Sequence, residues 1–205
     1  MRPLNVLVAC ESSGVVREAF RRLGHDAWSC DLQQADDGSP HHYHCDVMSI
    51  IRDRKFDLMI AHPTCTYLCS SGLHWNKRRP ERAAQTEESL DFVRALMSAD
   101  IPYIAIENPV GCISTRIRKP DDIIQPWMFG HPESKKTCLW LKNLPRLVPT
   151  NLLELPASGR WNNQTPTGQN KLGPSKDRWK IRSKTYEGIG AAIAAQYASH
   201  ILKGM

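Results

Sequence analysis

Two rhythms alternate along the chain. Short runs read as strands at residues 4–10 (LNVLVAC), 25–31 (HDAWSCD), 42–47 (HYHCDV), 56–63 (FDLMIAHP) and 103–109 (YIAIENP), with two more at 122–130 (DIIQPWMFG) and 136–143 (KTCLWLKN). The first is apolar without a break, as in a strand buried on both faces of a parallel sheet. Helical spacing lies between them. Val16, Phe20 and Leu23 share one face of VVREAFRRLG, with Ser12 or Ser13 as its cap and Gly24 as its stop. Residues 80–100 open on Pro80 and put Ala83, Glu87, Leu90, Val93 and Met97 along one side, Glu87 being the polar break. Ile189, Ile193, Tyr197 and Ile201 form the stripe of a closing helix, residues 185–202. Strands alternating with helices predict an α/β, doubly wound, Rossmann-like sheet of seven mostly parallel strands, folded as one domain over 1–205. Ligands of such sheets bind outside the carboxyl ends of the strands. Glu11, Ser12, Ser13, Gly14, Asp31, Asp46, Cys65 and Glu107 fall there.

Charge changes the picture at one place. The net charge is +6, but residues 135–184 carry eleven bases against two acids, which leaves the rest of the chain at −3. A basic segment on a slightly acidic body suits a polyanionic partner. Residues 156–180 are rich in Gly, Pro, Asn and Gln and read as a long loop, so 143–183 is expected to be a basic, irregular appendage. Trp161 and Trp179 lie inside it as stacking rings. Residues 66–79 (TYLCSSGLHWNKRR) read as a second, mobile loop, with Gly72 as hinge, Trp75 to stack on bases, and Lys77, Arg78 and Arg79 to meet phosphate. No apolar run reaches the ~20 residues of a membrane span. The first residues lack the pattern of a signal peptide. A cytosolic protein with mostly reduced thiols is expected, and its odd count of seven cysteines argues against a disulfide framework.

The strand–turn–helix at residues 4–24 followed by Asp31 is a nucleoside-cofactor pattern: the turn lets backbone approach the ligand and the carboxylate takes ribose hydroxyls. Asp46, one strand over, is placed to accept from an adenine amino group. Cys65 admits three readings. It is a nucleophile in an active-site loop, a zinc ligand with Cys69 or with His41, His42, His44 and Cys45, or an inert core residue. The zinc sets lack a paired CxxC layout, and a core cysteine is badly placed between Thr64 and Thr66. No metal is therefore expected. Glu107 ends the neighbouring strand, where it is either an acid beside the thiol or a structural loop cap.

Together these residues resemble the cytosine-5 DNA methyltransferases, in particular small phage-type members without a full target-recognition domain. Pro63-Thr64-Cys65 is similar to their Pro-Pro-Cys, Glu107-Asn108-Pro109 to their Glu-Asn-Val, and GHPESKKT, with Glu133, Lys135 and Thr137, to their Gly-Val-Pro-Gln-x-Arg-x-Arg segment. Ala9 to Gly14 matches their glycine turn loosely. Order and spacing agree from residue 4 to about 142, and the last helix resembles their final cofactor-side motif. Thr64 stands in place of a proline, Pro109 in place of valine, and both arginines of the last block are missing. The resemblance implies S-adenosyl-L-methionine as cofactor, held by Glu11, Ser12, Ser13, Gly14, Asp31, Asp46 and Pro63. It implies DNA, single-stranded or duplex, as substrate. Catalysis would fall to Cys65, Glu107 and Asn108, with Lys135 on the base's carbonyl oxygen, and nucleic-acid contact to Trp75, Lys77, Arg78, Arg79, Thr137, Trp161 and Trp179. The Cys65 thiolate would add to carbon 6 and Glu107 would hold ring N3 and the amino group. The short appendage implies relaxed sequence preference and activity on single strands. The other readings are a pyrimidine nucleotide-modifying enzyme using the same cysteine addition, and a non-catalytic nucleic-acid-binding module.

Overall fold

The alternating rhythm is realised as a seven-stranded sheet in a computed structural model that describes residues 2–176 and 178–204, the side chain of Trp179 excepted. The strands are β1 (Asn5–Ala9), β2 (Asp26–Asp31), β3 (His42–His44), β4 (Leu58–Ala61), β5 (Tyr103–Pro109), β6 (Asp122–Ile124) and β7 (Thr137–Lys142), in spatial order β3-β2-β1-β4-β5-β7-β6. Pairing is parallel from β3 to β5, and β7 runs antiparallel to both β5 and β6. This is a mostly parallel, Rossmann-like sheet.

The period of two along each strand builds two cores. Val6 and Val8 of β1, Leu58 and Ile60 of β4 and Ala105 of β5 face α1 (Val15–Arg22) and α7 (Glu187–Gly204). Leu7, Ala9, Met59, Ala61, Ile104 and Ile106 face α2 (Val47–Asp53) and α4 (Pro80–Met97). Each large side chain buried in this way contributes about 1.5–3 kcal/mol. Gly190 lets α7 close on α1, since a Cβ there would press on Val15.

Several elements differ from expectation. The third strand stops at His44 because Asp46 is the N-cap of α2, its carboxylate accepting from Met48 N at 2.9 Å. Seven residues are too few for a helical period to show, so α2 was not foreseen. The buried stripe of α4 is Thr86, Leu90, Val93 and Leu96. Glu87 faces outward to Arg116 at 2.9 Å. Pro126 ends β6 after three residues and opens a 3-10 turn, Pro126–Met128.

The two loops are more ordered than their composition suggests. Residues 66–79 contain α3 (Ser70–Leu73) and a 3-10 turn, His74–Lys77, fastened to α4. Arg82 donates to Thr66 O at 2.7 Å and Gly72 O at 3.2 Å, and Asn76 donates to Thr86 Oγ1 at 2.9 Å. At Gly72 the Arg82 guanidinium fills the space of the missing Cβ. After α5 (Ile113–Arg116), β6 and β7, the basic segment is irregular as expected but tied down, and it ends in α6 (Arg178–Ser183). Asn163 exchanges two hydrogen bonds with the backbone of Ser134, and Lys180 pairs with Asp36 at 2.8 Å. Among the described residues no helix is long and apolar enough to cross a membrane.

Candidate active site

The carboxyl ends of β1, β2, β4 and β5 bring most of the expected residues to one edge. At the end of β1, Cys10 takes a left-handed conformation, φ 58, uncommon for a side chain with a Cβ. Gly14 is also left-handed, φ 72, and begins α1. A Cβ on Gly14 would collide with the Arg17 guanidinium and the Asp37 carboxylate. Arg17 is fully buried. It bonds Asp37, Glu18 at 2.9 Å and Ser29 Oγ at 2.8 Å, while Ser12 O accepts from Asp36 N at 2.9 Å. The loop after β2 is thereby pinned over the turn. Sequence reading missed Arg17, whose partner Asp37 is twenty residues away.

The cofactor set divides. Glu11 is 4% exposed, and its carboxylate already has partners: Oε1 accepts from Val16 N at 2.8 Å and Ser13 Oγ at 3.2 Å, and Oε2 from Arg17 N at 3.3 Å. It shapes the turn from inside. Pro63 is likewise buried, its carbonyl accepting from Asn108 Nδ2 at 2.6 Å. Asp31 and Asp46 each use Oδ1 on a backbone N–H, of Gln33 and Met48, both at 2.9 Å. Both lie close enough to Cys10 that, after burial, their charges help push its thiol up to about 12. A glycine turn with no room for a Cβ and two adjacent carboxylates suit the backbone approach and hydroxyl-rich edge of a nucleoside cofactor.

Between β4 and β5 the second half of the site forms. His62 follows β4 directly, and its Nδ1 lies 2.8 Å from Glu107 Oε2, with side-chain exposures of 9% and 13%. Burial works against both charges most strongly. For His62 the Glu107 hydrogen bond and the charges of Glu107 and Glu11 outweigh burial and Lys135, holding the imidazole above its ordinary value. For Glu107 burial is outweighed by the His62 bond, Lys135 and the His62 charge, which hold the carboxyl below its usual range. His62 was absent from the sequence-based set; its signal was a titratable residue at the end of a buried strand. Lys135, Thr137, Thr185, Tyr186 and the start of α7 close a cavity of about 10 Å³ over this pair.

Cys65 is half-buried beside it, one helical turn from Cys69, whose N–H donates to Cys65 O at 3.0 Å. The Cys65 thiol is pushed up, first by its hydrogen bond to Cys69, then by burial and by the Cys69 and Glu107 charges, with Lys135 opposing. Cys69 is lowered to about 5, first by that bond and, against burial, by Ser71 Oγ and the N–H groups of Gly72 and Ser71 at the start of α3. Cys69 Sγ lies 3.1 Å from Ser71 Oγ. A close approach fixes this loop: Ser70 N donates to Val110 O at 3.1 Å and Cys112 N to Leu68 O at 2.8 Å, across Gly111.

Three further residues of the expected set are buried. Asn108 braces Pro63 through Nδ2, and its Oδ1 has no hydrogen-bond partner among the described residues. Thr137 is buried in the cavity wall, its hydroxyl bonded to Lys135 O at 3.1 Å, and so is shielded from a nucleic-acid backbone. Trp161 is 8% exposed and stacks flat on Trp127 at 5.8 Å and 3°, so its ring is an anchor of the appendage. Trp75 is 40% exposed with Arg79 over its ring at 5.2 Å, and Lys77 and Arg78 are exposed. The Trp179 side chain lies outside the described residues. Among the described residues no three His, Cys, Asp or Glu side chains converge as a metal cage requires.

No family model and no curated protein sequence matches the chain. Among solved structures it is similar to a prophage-encoded E. coli protein designated a DNA modification methyltransferase, at 18% identity and a TM-score of 0.44 over 67% of this chain and 46% of that one. It is also similar to an rRNA methylase from Escherichia coli, at 15% identity and 0.40 over 69% and 57%, and to the 16S rRNA methylase RmtB, at 15% and 0.37 over 69% and 56%. The chain spans about half the length of these proteins. Its chemistry is read from its own residues.

Proposed function

We propose that the protein transfers a methyl group from S-adenosylmethionine to carbon 5 of cytosine in DNA through a covalent Cys65 adduct at carbon 6. The observation that supports this reading is that Glu107 and Lys135 line one cavity beyond β4 and β5, close enough for both charges to act on the Cys65 thiol. Carbon 5 of cytosine is a poor nucleophile, and addition of a thiolate at carbon 6 makes it an enamine carbon. Cys65 passes its proton to the Cys69 thiolate one turn away and adds to carbon 6. Glu107 keeps Oε1 for the amino edge of the base, and the Lys135 ammonium meets the carbonyl oxygen. Carbon 5 then takes the methyl group that the sulfonium cofactor supplies. The carbon-5 proton passes to solvent, and the thiolate leaves and takes its own proton back from Cys69, which restores the ring and both cysteines. Asp31 and Asp46 accept from the nucleoside part of the cofactor, and the Cys10–Gly14 turn lets it approach the backbone.

The cavity is far smaller than a pyrimidine, so the base enters as Lys135, Thr185 and Tyr186 move aside. These residues flank the basic segment, so nucleic acid bound there acts on the mouth of the pocket. Exposed Lys77, Arg78, Lys171 and Lys176, with the Trp75 ring, supply charge and stacking without a folded base reader. Short or relaxed sequence preference and activity on single strands follow from that surface. The test is incubation with S-adenosylmethionine and single-stranded or duplex oligonucleotides, RNA or free dCMP, then digestion and nucleoside mass measurement. Methylated deoxycytidine from DNA, and a 5-fluorocytosine adduct lost in Cys65→Ala, support the reading. An adduct that persists in Cys65→Ala, or methylation of dCMP alone, overturns it.

A further inference from the structure

This inference rests on the reading above and concerns a step that reading leaves without an agent. When a thiolate adds to carbon 6, electron density moves onto ring N3, which needs a proton donor. Glu107 is a poor one, because its carboxylate accepts the Nδ1–H of His62 at 2.8 Å and is held ionised. Three other polar groups lining the cavity have partners. Thr137 Oγ1 donates to Lys135 O, Tyr186 Oη donates to Glu133, and Lys135 Nζ reaches Lys184 O at 3.4 Å and lies over the Tyr186 ring. His62 Nε2 differs: it is buried, lacks a hydrogen-bond partner among the described residues, and belongs to a ring lining the same cavity. A buried polar atom without a partner is costly unless a ligand supplies one.

We propose that His62 is the general acid of the base pocket, with Glu107 as the carboxylate that orients its ring. The arrangement is a carboxylate–imidazole dyad: Nδ1–H is fixed on Glu107, and Nε2–H faces the space the base enters. As the Cys65 sulfur bonds carbon 6, the ring pair moves toward N3, the Nε2–H bond breaks and the N3–H bond forms. His62 becomes neutral and keeps its Nδ1 proton on Glu107. When the thiolate leaves, N3 returns the proton to Nε2, so the dyad is restored without outside reagent. The backbone fits this role, since His62 N donates to Ala9 O at 2.9 Å and ties the imidazole to the end of β1.

The charged groups facing His62 are Glu107 from β5, Glu11 from the turn after β1, and Lys135 from the segment before β7. The two carboxylates favour the cationic acid form and Lys135 opposes it. The acid is active when protonated, so the rate is full at lower pH and falls as pH rises through a value above that of an ordinary histidine.

The test compares single-turnover transfer across pH for the wild type, His62→Asn and His62→Gln. Asparagine keeps a donor to Glu107 near the Nδ1 position but has nothing at Nε2; glutamine places an amide near Nε2 without a releasable proton. Both are expected to slow transfer by about 10²-fold or more and to lose the falling limb at high pH. A purely structural role would be rescued by asparagine. Nitrogen-15 spectra of the imidazole, read without substrate, are expected to show a charged His62 at neutral pH in the wild type and loss of that charge in Glu107→Gln. A neutral His62 in the wild type, or either variant keeping the wild-type rate and limb, overturns the inference alone. A wild type that methylates no DNA cytosine overturns the functional reading and this inference with it.

Discussion

Replacing Glu11 by alanine separates a structural carboxylate from a ligand-binding one. Its two oxygens accept from Val16 N, Arg17 N and Ser13 Oγ, and both backbone donors belong to fully buried residues in the first turn of α1. The half-buried Ser13 hydroxyl can turn to water. The two N–H groups cannot, and each buried donor left unpaired costs about 1–3 kcal/mol. Glu11→Ala should therefore lose roughly 2–6 kcal/mol, a large part of the ~5–15 kcal/mol that holds a domain together. Glu11→Gln keeps one acceptor oxygen but turns an amide N–H toward a backbone N–H, so its loss should be about half as large, roughly 1–3 kcal/mol. Urea unfolding is the assay. At a slope of ~2–3 kcal/mol/M the alanine variant should shift its midpoint by about 0.7–3 M with the slope unchanged. Cofactor affinity of Glu11→Gln, measured where the protein is folded, should stay within a few-fold of wild type. An unshifted midpoint in Glu11→Ala, or a glutamine variant as stable as wild type with its cofactor affinity abolished, would refute the reasoning.

Asp31→Ala should weaken S-adenosylmethionine binding by about 1.5–3 kcal/mol per lost hydrogen bond without moving the melting temperature, as read by calorimetry. At pH 5.5 an ordinary thiol is only ~0.1% thiolate. Cys69, lowered to about 5, is mostly ionised there; after a ~40-fold discount for its weaker nucleophilicity it should still alkylate about 10–20 times faster than such a thiol. Equal labelling of Cys65 and Cys69 by peptide mass spectrometry would contradict this. Gly111→Ala places a Cβ on the Leu68 carbonyl, so it should cost about 1–3 kcal/mol and raise hydrogen exchange across residues 66–72. Trp161→Ala should destabilise by about 3–5 kcal/mol in thermal unfolding. Trp75→Ala should leave melting unchanged and weaken only DNA binding.

What could be read from the sequence was what repeats at short range. β1 and β4 were legible because four consecutive buried residues leave few alternatives, and once strand ends are known the residues just past them stand out. Cys65 and Glu107 were found in that way. His62 stood beside them unnoticed, because a single histidine before a proline carries no periodic signal and its partner lies forty-five residues on. Arg17 was hidden for a similar reason. It sits between Val16 and Glu18 like any surface arginine, and only the closure of the loop at Asp37 buries it. The two tryptophans of the polar stretches show the limit best. Trp75 and Trp161 have the same kind of neighbours in sequence, yet one meets Trp127 across a long-range contact and the other does not. Composition cannot tell an anchor from an open ring when the contact that decides is non-local.

The placement of charge along the strand ends explains why one edge can serve two chemistries. Glu11 and Glu107 are both buried carboxylates acting on the same imidazole, but they are compensated differently. The first turn of α1 meets Glu11 with backbone dipoles, so that side of His62 keeps negative potential for a cationic cofactor. Glu107 is met by the His62 imidazole, whose cationic form it favours, and by the Lys135 ammonium, so the base side carries an excess of positive charge when His62 is protonated. A neutral pyrimidine gains little there until a thiolate adds to it. At that moment electron density moves onto its ring, where the Lys135 ammonium meets the carbonyl oxygen and the His62 proton meets N3. Cys69 then matters as much as Cys65: an anionic sulfur one turn away takes the proton of the attacking thiol, and the negative charge passes through Cys65 to the ring only as the adduct forms. The pocket, on this reading, binds the adduct better than the base, and its selectivity lies in which ring can carry the charge.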